Sequence, residues 1–108
     1  MTVYMTDTHA LLWAFHQPRN LGENARRVFE EIANGKAKLL IPVIVLAELI
    51  FTIENKPIEA DLDKILSAVG NSPNVEFVDF DYESTLKLRA LSSIPEMRDR
   101  MIVASAIL

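Results

Sequence analysis

The sequence alternates short apolar runs with segments of helical periodicity, and this alternation constrains the fold more than any other feature. The apolar runs span residues 3–5, 38–41 and 75–80. Each has the length and composition of a short strand bounded by polar or turn-forming residues. Strands that alternate with helices usually pair in parallel, with the helices crossing over the faces of the sheet. The pattern therefore predicts an α/β fold with a mainly parallel central sheet flanked by helices.

Helix boundaries are marked by polar caps, prolines and glycines. Pro42 separates the second strand from a helix that ends near Asn55, because proline is tolerated only in the first turn of a helix. Asp81 is a suitable N-cap for a later helix, and either Arg98 or Asp99 begins the last one. The spacing of apolar residues predicts further helices over residues 8–16, 23–34 and 61–69.

Length and composition indicate one compact domain over residues 1–108. Half of the residues are hydrophobic and 24% are charged, so a disordered chain is excluded. The formal net charge is −4, which argues against nucleic-acid binding through a basic surface. It does not exclude an enzyme that uses divalent cations at an acidic site.

Cysteine usage and hydropathy predict a cytoplasmic protein without a membrane partner. There are no cysteines, so a disulfide scaffold and a thiolate metal site are both excluded. Asp7 and His9 interrupt the N-terminal apolar stretch before a signal peptide could form. The most apolar stretch, residues 39–51, contains Pro42 and Glu48 and is too short to span a bilayer.

The last eight residues are apolar on almost every side of the predicted helix. We expect such a helix to be buried, yet the chain stops at Leu108 without a polar last turn or a following strand. We therefore expect the domain to be incomplete at its C-terminus, with the last strand of the sheet missing. An open sheet edge and an uncovered apolar helix both favour pairing with a second copy, so a homodimer is predicted.

Three carboxylates stand apart from the ordinary polar faces of the helices. Asp7 follows the first strand and precedes an apolar helix, where an N-cap or turn role is the simplest explanation. Asp99 lies in the first turn of the last helix, where the helix dipole favours a negative charge. Its neighbours Arg98 and Arg100 are able to hold phosphate oxygens or to balance its charge.

Glu48 is the most unusual of the three, because its helical neighbours are apolar on every face. A carboxylate in such surroundings needs a cation, a metal ion or several hydrogen bonds. An ion pair with an arginine or lysine elsewhere is as good an explanation as a functional role. Taken together, however, Asp7, Glu48 and Asp99 are the oxygen donors that a site for Mg²⁺ or Mn²⁺ requires.

Three segments follow one another at suitable spacing: residues 5–13, MTDTHALLW, residues 44–49, IVLAEL, and residues 98–106, RDRMIVASA. In this order they resemble the first, second and third motifs of PIN-domain ribonucleases, in particular the VapC-type toxins of toxin–antitoxin pairs. The resemblance covers essentially the whole chain and implies a PIN-like three-layer sandwich.

The resemblance also implies an activity and partners. The protein would be a ribonuclease that hydrolyses tRNA, rRNA or mRNA with metal-activated water and is silenced by a cognate antitoxin. Asp7, Glu48 and Asp99 would bind one or two Mg²⁺ or Mn²⁺ ions and carry the catalysis, with Glu48 as a ligand or as a base that orients water. The family usually has a further strand that ends in another acidic residue, which this sequence lacks.

Three other residues of the first motif, and Phe15 just after it, have simpler explanations than catalysis. Thr8 matches a small hydroxyl position of the family, but a helix cap is the better interpretation. His9 is expected to be a packed or surface residue, and Trp13 and Phe15 to belong to the core or to a partner surface.

Two alternatives to the ribonuclease hypothesis remain open. The first is a catalytically weak PIN-like module that serves dimerisation or antitoxin binding. The second is a general α/β domain in which all three acids are helix caps or ion-pair partners.

Overall fold

Three parallel strands form one sheet in the computed structural model, which describes residues 2–55 and 59–106. The strands are β1 (Thr2–Met5), β2 (Ala37–Pro42) and β3 (Val75–Val78), arranged in the order β1-β2-β3. Met5 pairs with Leu40 across the first ladder. The carboxyl ends of the strands therefore lie at one edge of the sheet, and the predicted α/β class with parallel strands is confirmed.

Within the described residues, six α-helices and two short 3₁₀ helices surround or follow these strands. The α-helices are α1 (Thr8–His16), α2 (Glu23–Ala33), α3 (Val43–Asn55), α4 (Leu62–Gly70), α5 (Tyr82–Leu86) and α6 (Met97–Ala106). The 3₁₀ helices are Pro18–Asn20 and Lys87–Leu91. Within the described part of the chain, none of the helices has the length and hydropathy needed to cross a membrane.

Helix α3 begins directly after β2 and carries much of the core. Pro42 is the last residue of the strand and Val43 the first of the helix, as the position of the proline predicts. From Ala37 to Ile41, residues of β2 alternate between buried and half-buried, which is the two-residue period of a strand covered mainly on one face, and Pro42 at its end is also buried. The main cluster of buried residues is Leu11, Leu12, Ile32, Ala37, Leu39, Ile41, Val45, Leu49, Ile53, Ile65 and Val69.

Aspartates cap two of the helices that follow. Asp61 accepts a hydrogen bond from the backbone N–H of Lys64 at 3.1 Å, and Asp81 accepts one from Ser84 at 2.9 Å. The bond from Ser84 lowers the pKa of the Asp81 carboxyl below its ordinary value, because it stabilises the charged form. Asp81 therefore has the capping role that the sequence predicts.

Strand β3 is shorter than the apolar run of residues 75–80 predicts. Among the described strands it pairs with β2 alone, and its last pair places Val78 opposite Pro42. Beyond that pair the chain after β2 turns into α3, so Asp79 and Phe80 have no strand to pair with. The strand ends where its partner ends rather than where the apolar residues end.

The last two helical segments also differ from the predictions. The helix capped by Asp81 is α-helical only to Leu86 and continues as a 3₁₀ helix. Helix α6 is not buried all round, since Ala104 is fully buried but Val103 is 38% exposed. The last two residues of the predicted apolar helix, 107 and 108, lie outside the described residues.

Candidate metal centre

Asp7 lies where β1 passes into α1, at the edge of the sheet formed by the carboxyl ends of the strands. Its side chain is exposed and caps α1, because Oδ1 accepts a hydrogen bond from the backbone N–H of Ala10 at 2.8 Å. Asp7 therefore has the N-cap role that the sequence predicts as its simplest explanation. Asp7 also lines a cleft of about 210 Å³ whose walls include Tyr4, Thr6 and Phe29.

The neighbours of Asp7 clarify the rest of the first motif. Thr8 is the first residue of α1 and is buried, so the predicted cap role of Thr8 is wrong: Asp7 is the cap. His9 is exposed, as expected for a surface residue. Trp13 and Phe15 are partly buried and pack against the main core, in agreement with a structural role.

Glu48 lies five residues after the start of α3 and is held by an ion pair. Val45 and Leu49 beside it are fully buried, and the side chain of Glu48 is only 20% exposed. Its Oε2 atom accepts a hydrogen bond from Nη1 of Arg98 at 3.4 Å. The ion pair that the sequence predicts as one explanation for Glu48 is therefore present, and its partner is Arg98 of α6.

Asp99 lies in the first turn of α6 and is exposed to solvent. The two arginines that flank it in the sequence have different roles. Arg98 contacts Glu48, whereas Arg100 donates hydrogen bonds from Nε and Nη2 to the backbone carbonyl of Ile94, at 2.9 and 2.6 Å. Arg100 thus secures the turn before α6 and is not directed at the carboxylates.

The three predicted ligands lie on adjoining elements. Helix α3, which carries Glu48, contacts both α1, which Asp7 caps, and α6, which carries Asp99. All three are carboxylates, so the donor types fit the preference of Mg²⁺ and Mn²⁺ for oxygen ligands. Their positions do not complete the fit: within the described part of the chain, no group of three or more His, Asp or Glu side chains could hold one ion.

The sequence predicts an ion pair as one explanation for Glu48 but does not identify Arg98 as its partner. The pattern around Glu48 predicts that a cation, a metal or hydrogen bonds must accompany it, but the chain has 11 lysines and arginines. Arg98 is fifty positions away and joins two helices whose packing is not visible in a local pattern. In the sequence, the local indication that Arg98 belongs to this region is its position next to Asp99.

Glu96 completes the charges around Arg98. Its Oε1 atom lies 3.5 Å from Nε of Arg98 and accepts a hydrogen bond from the backbone N–H of the same residue at 3.2 Å. The guanidinium of Arg98 therefore contacts two carboxylates. That of Glu48 on α3 is 20% exposed, and that of Glu96 before α6 is 53% exposed.

Comparison with known proteins gives a family and a fold. A model of the PIN-domain family matches residues 4–108. The structure of VapBC2 from Rickettsia felis, bound to a DNA fragment from the promoter, is similar with a TM-score of 0.73 and 21% identity, over 98% of this chain and 81% of that one. DNA-bound VapBC from Salmonella typhimurium is similar with a TM-score of 0.63 and 24% identity, over 98% and 80%. No curated protein matches the sequence.

Proposed function

The chain belongs to the PIN-domain family, and from this premise we propose that it is a divalent-metal-dependent endoribonuclease, the VapC-type toxin of a type II toxin–antitoxin pair. PIN domains are generally nucleases, so membership supports a nuclease role. The observation that carries the proposal is the family match over residues 4–108 together with the position of Asp7. This acidic residue lies between β1 and α1, at the edge of a parallel sheet where functional side chains usually gather.

Asp7, Glu48 and Asp99 are the residues that we propose bind the metal and carry catalysis. The cofactor is Mg²⁺ or Mn²⁺, which polarises a phosphate and makes water a better nucleophile at neutral pH. Asp7 contributes an exposed carboxylate. Its Oδ1 atom caps α1 by accepting the hydrogen bond from Ala10, and Oδ2 takes no part in that bond. Asp99 contributes a second exposed carboxylate. Glu48 would serve as a third ligand or as a base that orients water.

The substrate proposed is cellular RNA: tRNA, rRNA or mRNA. The net charge of −4 provides little attraction for a polyanion. Binding must therefore depend on the neutralisation of the acidic site and on local contacts. The proposed compartment is the cytoplasm, where these RNAs occur.

The partners proposed are a cognate antitoxin and a second copy of this chain. Two solved structures of similar fold, from Rickettsia felis and Salmonella typhimurium, are structures of VapBC. Exposed apolar side chains on α3 and α6 support protein–protein contacts: Phe51 is 64% exposed and Met97 65%.

One observation favours the alternative of a catalytically weak PIN-like module that binds proteins. In the described residues the carboxylates do not form a group that could hold an ion, and Glu48 is paired with Arg98. A module of this kind would dimerise or bind an antitoxin without cleaving RNA. A measurement of RNA cleavage distinguishes this binding module from the ribonuclease.

The test is cleavage of total cellular RNA by the purified protein with Mn²⁺, with Mg²⁺ and with EDTA. We expect cleavage with either metal, none with EDTA and none by Asp7→Asn, because a hard cation requires the charge of the ligand. Asp63→Asn is the matched control, since it makes the same change at an exposed position in the first turn of α4. Cleavage by Asp7→Asn at the wild-type rate would overturn the assignment, and absence of cleavage by the wild-type protein would favour the binding module.

A further inference from the structure

The cleft beside Asp7 lies between the end of β1, the start of α1 and helix α2. Tyr4 and Thr6 line it on the side of the strand, and Ala25 and Phe29 line it on the side of α2. Its volume of about 210 Å³ is below the range of about 300 Å³ and more that is usual for pockets of drug-sized ligands. The cleft therefore has the size for a single planar ring system next to the proposed reaction site.

Aromatic side chains form part of the lining of this cleft. Tyr4 and Phe29 are both half-buried, so a part of each residue remains accessible. Proteins bind the unpaired bases of single-stranded RNA by stacking them on aromatic rings. Stacking acts on the base and not on the phosphate, so it does not depend on a basic surface, and this chain has a net charge of −4. An unpaired base of the RNA substrate is therefore the ligand that this lining suits best.

The polar side chains of the cleft present hydrogen-bond acceptors. The hydroxyl of Tyr4 donates its proton to Oε2 of Glu31 at 3.3 Å, and the hydroxyl of Thr6 donates to the backbone carbonyl of Asp7 at 3.0 Å. A hydroxyl that has donated its proton still accepts hydrogen bonds through its lone pairs, and donation to a carboxylate strengthens it as an acceptor. Thr6 is only 6% exposed, so Tyr4 is the more accessible of the two acceptors. A ligand of this cleft must therefore bring a hydrogen-bond donor.

Two of the four RNA bases bring such a donor at the same place. Cytosine and adenine carry an amino group where uracil and guanine carry a carbonyl oxygen. The amino group is able to donate to the Tyr4 hydroxyl, whereas a carbonyl oxygen would face another acceptor and stay unpaired.

We propose that the cleft beside Asp7 binds an unpaired cytosine or adenine of the RNA substrate, with Oη of Tyr4 as the acceptor of the amino group. Tyr4 is thus a specificity-determining residue. The inference rests on the proposed function, since it takes RNA as the substrate.

The test is the binding of short fluorescent RNAs, oligo(C) and oligo(U), measured by anisotropy in EDTA so that no metal-dependent cleavage interferes. The two RNAs have the same ring size and charge, so a difference reports the amino group. We expect the wild type to bind oligo(C) about three- to ten-fold more tightly, which corresponds to one net hydrogen bond. Tyr4→Phe keeps the ring and removes the acceptor, so its preference should fall to about two-fold or less.

A second variant tests the cleft itself. Ala25→Leu fills the cleft from α2, where Ala25 is half-buried, and should weaken the binding of both RNAs. Ala68→Leu is the matched control, because it makes the same change at an exposed position of α4 that does not line the cleft. We expect Ala68→Leu to bind both RNAs like the wild type. A circular dichroism spectrum of each variant checks the fold, and Tyr4→Phe decides the question if Ala25→Leu does not fold.

The outcomes separate this inference from the proposed function. Equal binding of oligo(C) and oligo(U) by the wild type, binding of neither, or an unchanged preference in Tyr4→Phe would overturn the base site and leave the ribonuclease to its cleavage test. Equal effects of Ala25→Leu and Ala68→Leu would also overturn it. A preference for oligo(C) that Tyr4→Phe removes, in a protein that cleaves no RNA with either metal, would support the base site and contradict the ribonuclease.

Discussion

The carboxylate of Asp7 accepts a hydrogen bond from the backbone N–H of Ala10 at 2.8 Å, so a proposed metal ligand is also the N-cap of the first helix. The two roles require different chemistry. A cap requires an oxygen acceptor, which asparagine also provides, whereas a divalent ion requires the negative charge. Substitutions at this position therefore separate the structural role from the functional one.

We predict that Asp7→Asn keeps the stability of the wild type, while Asp7→Ala loses about 1 kcal/mol of unfolding free energy, the usual effect of removing an N-cap. Both variants are expected to lose metal-dependent RNA cleavage. Urea denaturation and the cleavage assay measure the two effects on the same preparations. Asp61→Ala is the control, because it removes a cap from α4 and should destabilise the protein while retaining cleavage. Equal stability of Asp7→Ala and Asp7→Asn would show that the cap contributes nothing.

The cap of α5 gives a prediction about pH. The hydrogen bond from Ser84 lowers the pKa of Asp81 below its ordinary value of 3.8. The stability that the charged Asp81 cap contributes is therefore fully present above pH 3.8. It is lost as the pH falls through the lower pKa of Asp81 in the folded state. We predict that the melting temperature of Asp81→Asn falls less steeply below pH 4 than that of the wild type. Thermal melts between pH 2.5 and pH 6 measure this, and parallel curves would contradict it.

Local chemistry made most of the helix starts predictable from the sequence. Pro42 placed the boundary between β2 and α3, and Asp81 was correctly identified as a cap. The end of β3 was not predictable, because it depends on where β2 stops and not on the residues of β3. The predicted cap role of Thr8 is wrong for a different reason. Asp7 and Thr8 are adjacent and both carry a side-chain oxygen, so the sequence does not show which of them caps α1.

The candidate site was predictable in its residue types but not in its arrangement. The apolar surroundings of Glu48 indicated that it needs a compensating partner. Choosing Arg98 among the basic residues requires the packing of α3 against α6, which no local pattern contains. The arrangement of Asp7 and Asp99 around Glu48 likewise depends on how α1 and α6 pack against α3.

The exposed aromatic side chain on α3 gives a prediction about assembly. Phe51 is 64% exposed, and large exposed apolar side chains tend to become interfaces. We predict that the wild type is a dimer at micromolar concentration and that Phe51→Glu shifts it to the monomer with an unchanged melting temperature. Sedimentation velocity at several concentrations measures this. Tyr82→Glu, which removes another exposed aromatic residue on α5, is the control and should remain dimeric. A monomeric wild type would contradict the predicted homodimer.

The most direct test of the proposed metal centre is a crystal structure of the protein soaked with Mn²⁺, with diffraction recorded at the manganese absorption edge. We predict an anomalous peak within ligand distance of carboxylate oxygens of Asp7, Glu48 and Asp99. An anomalous map without a peak between these residues at saturating Mn²⁺ would contradict the account.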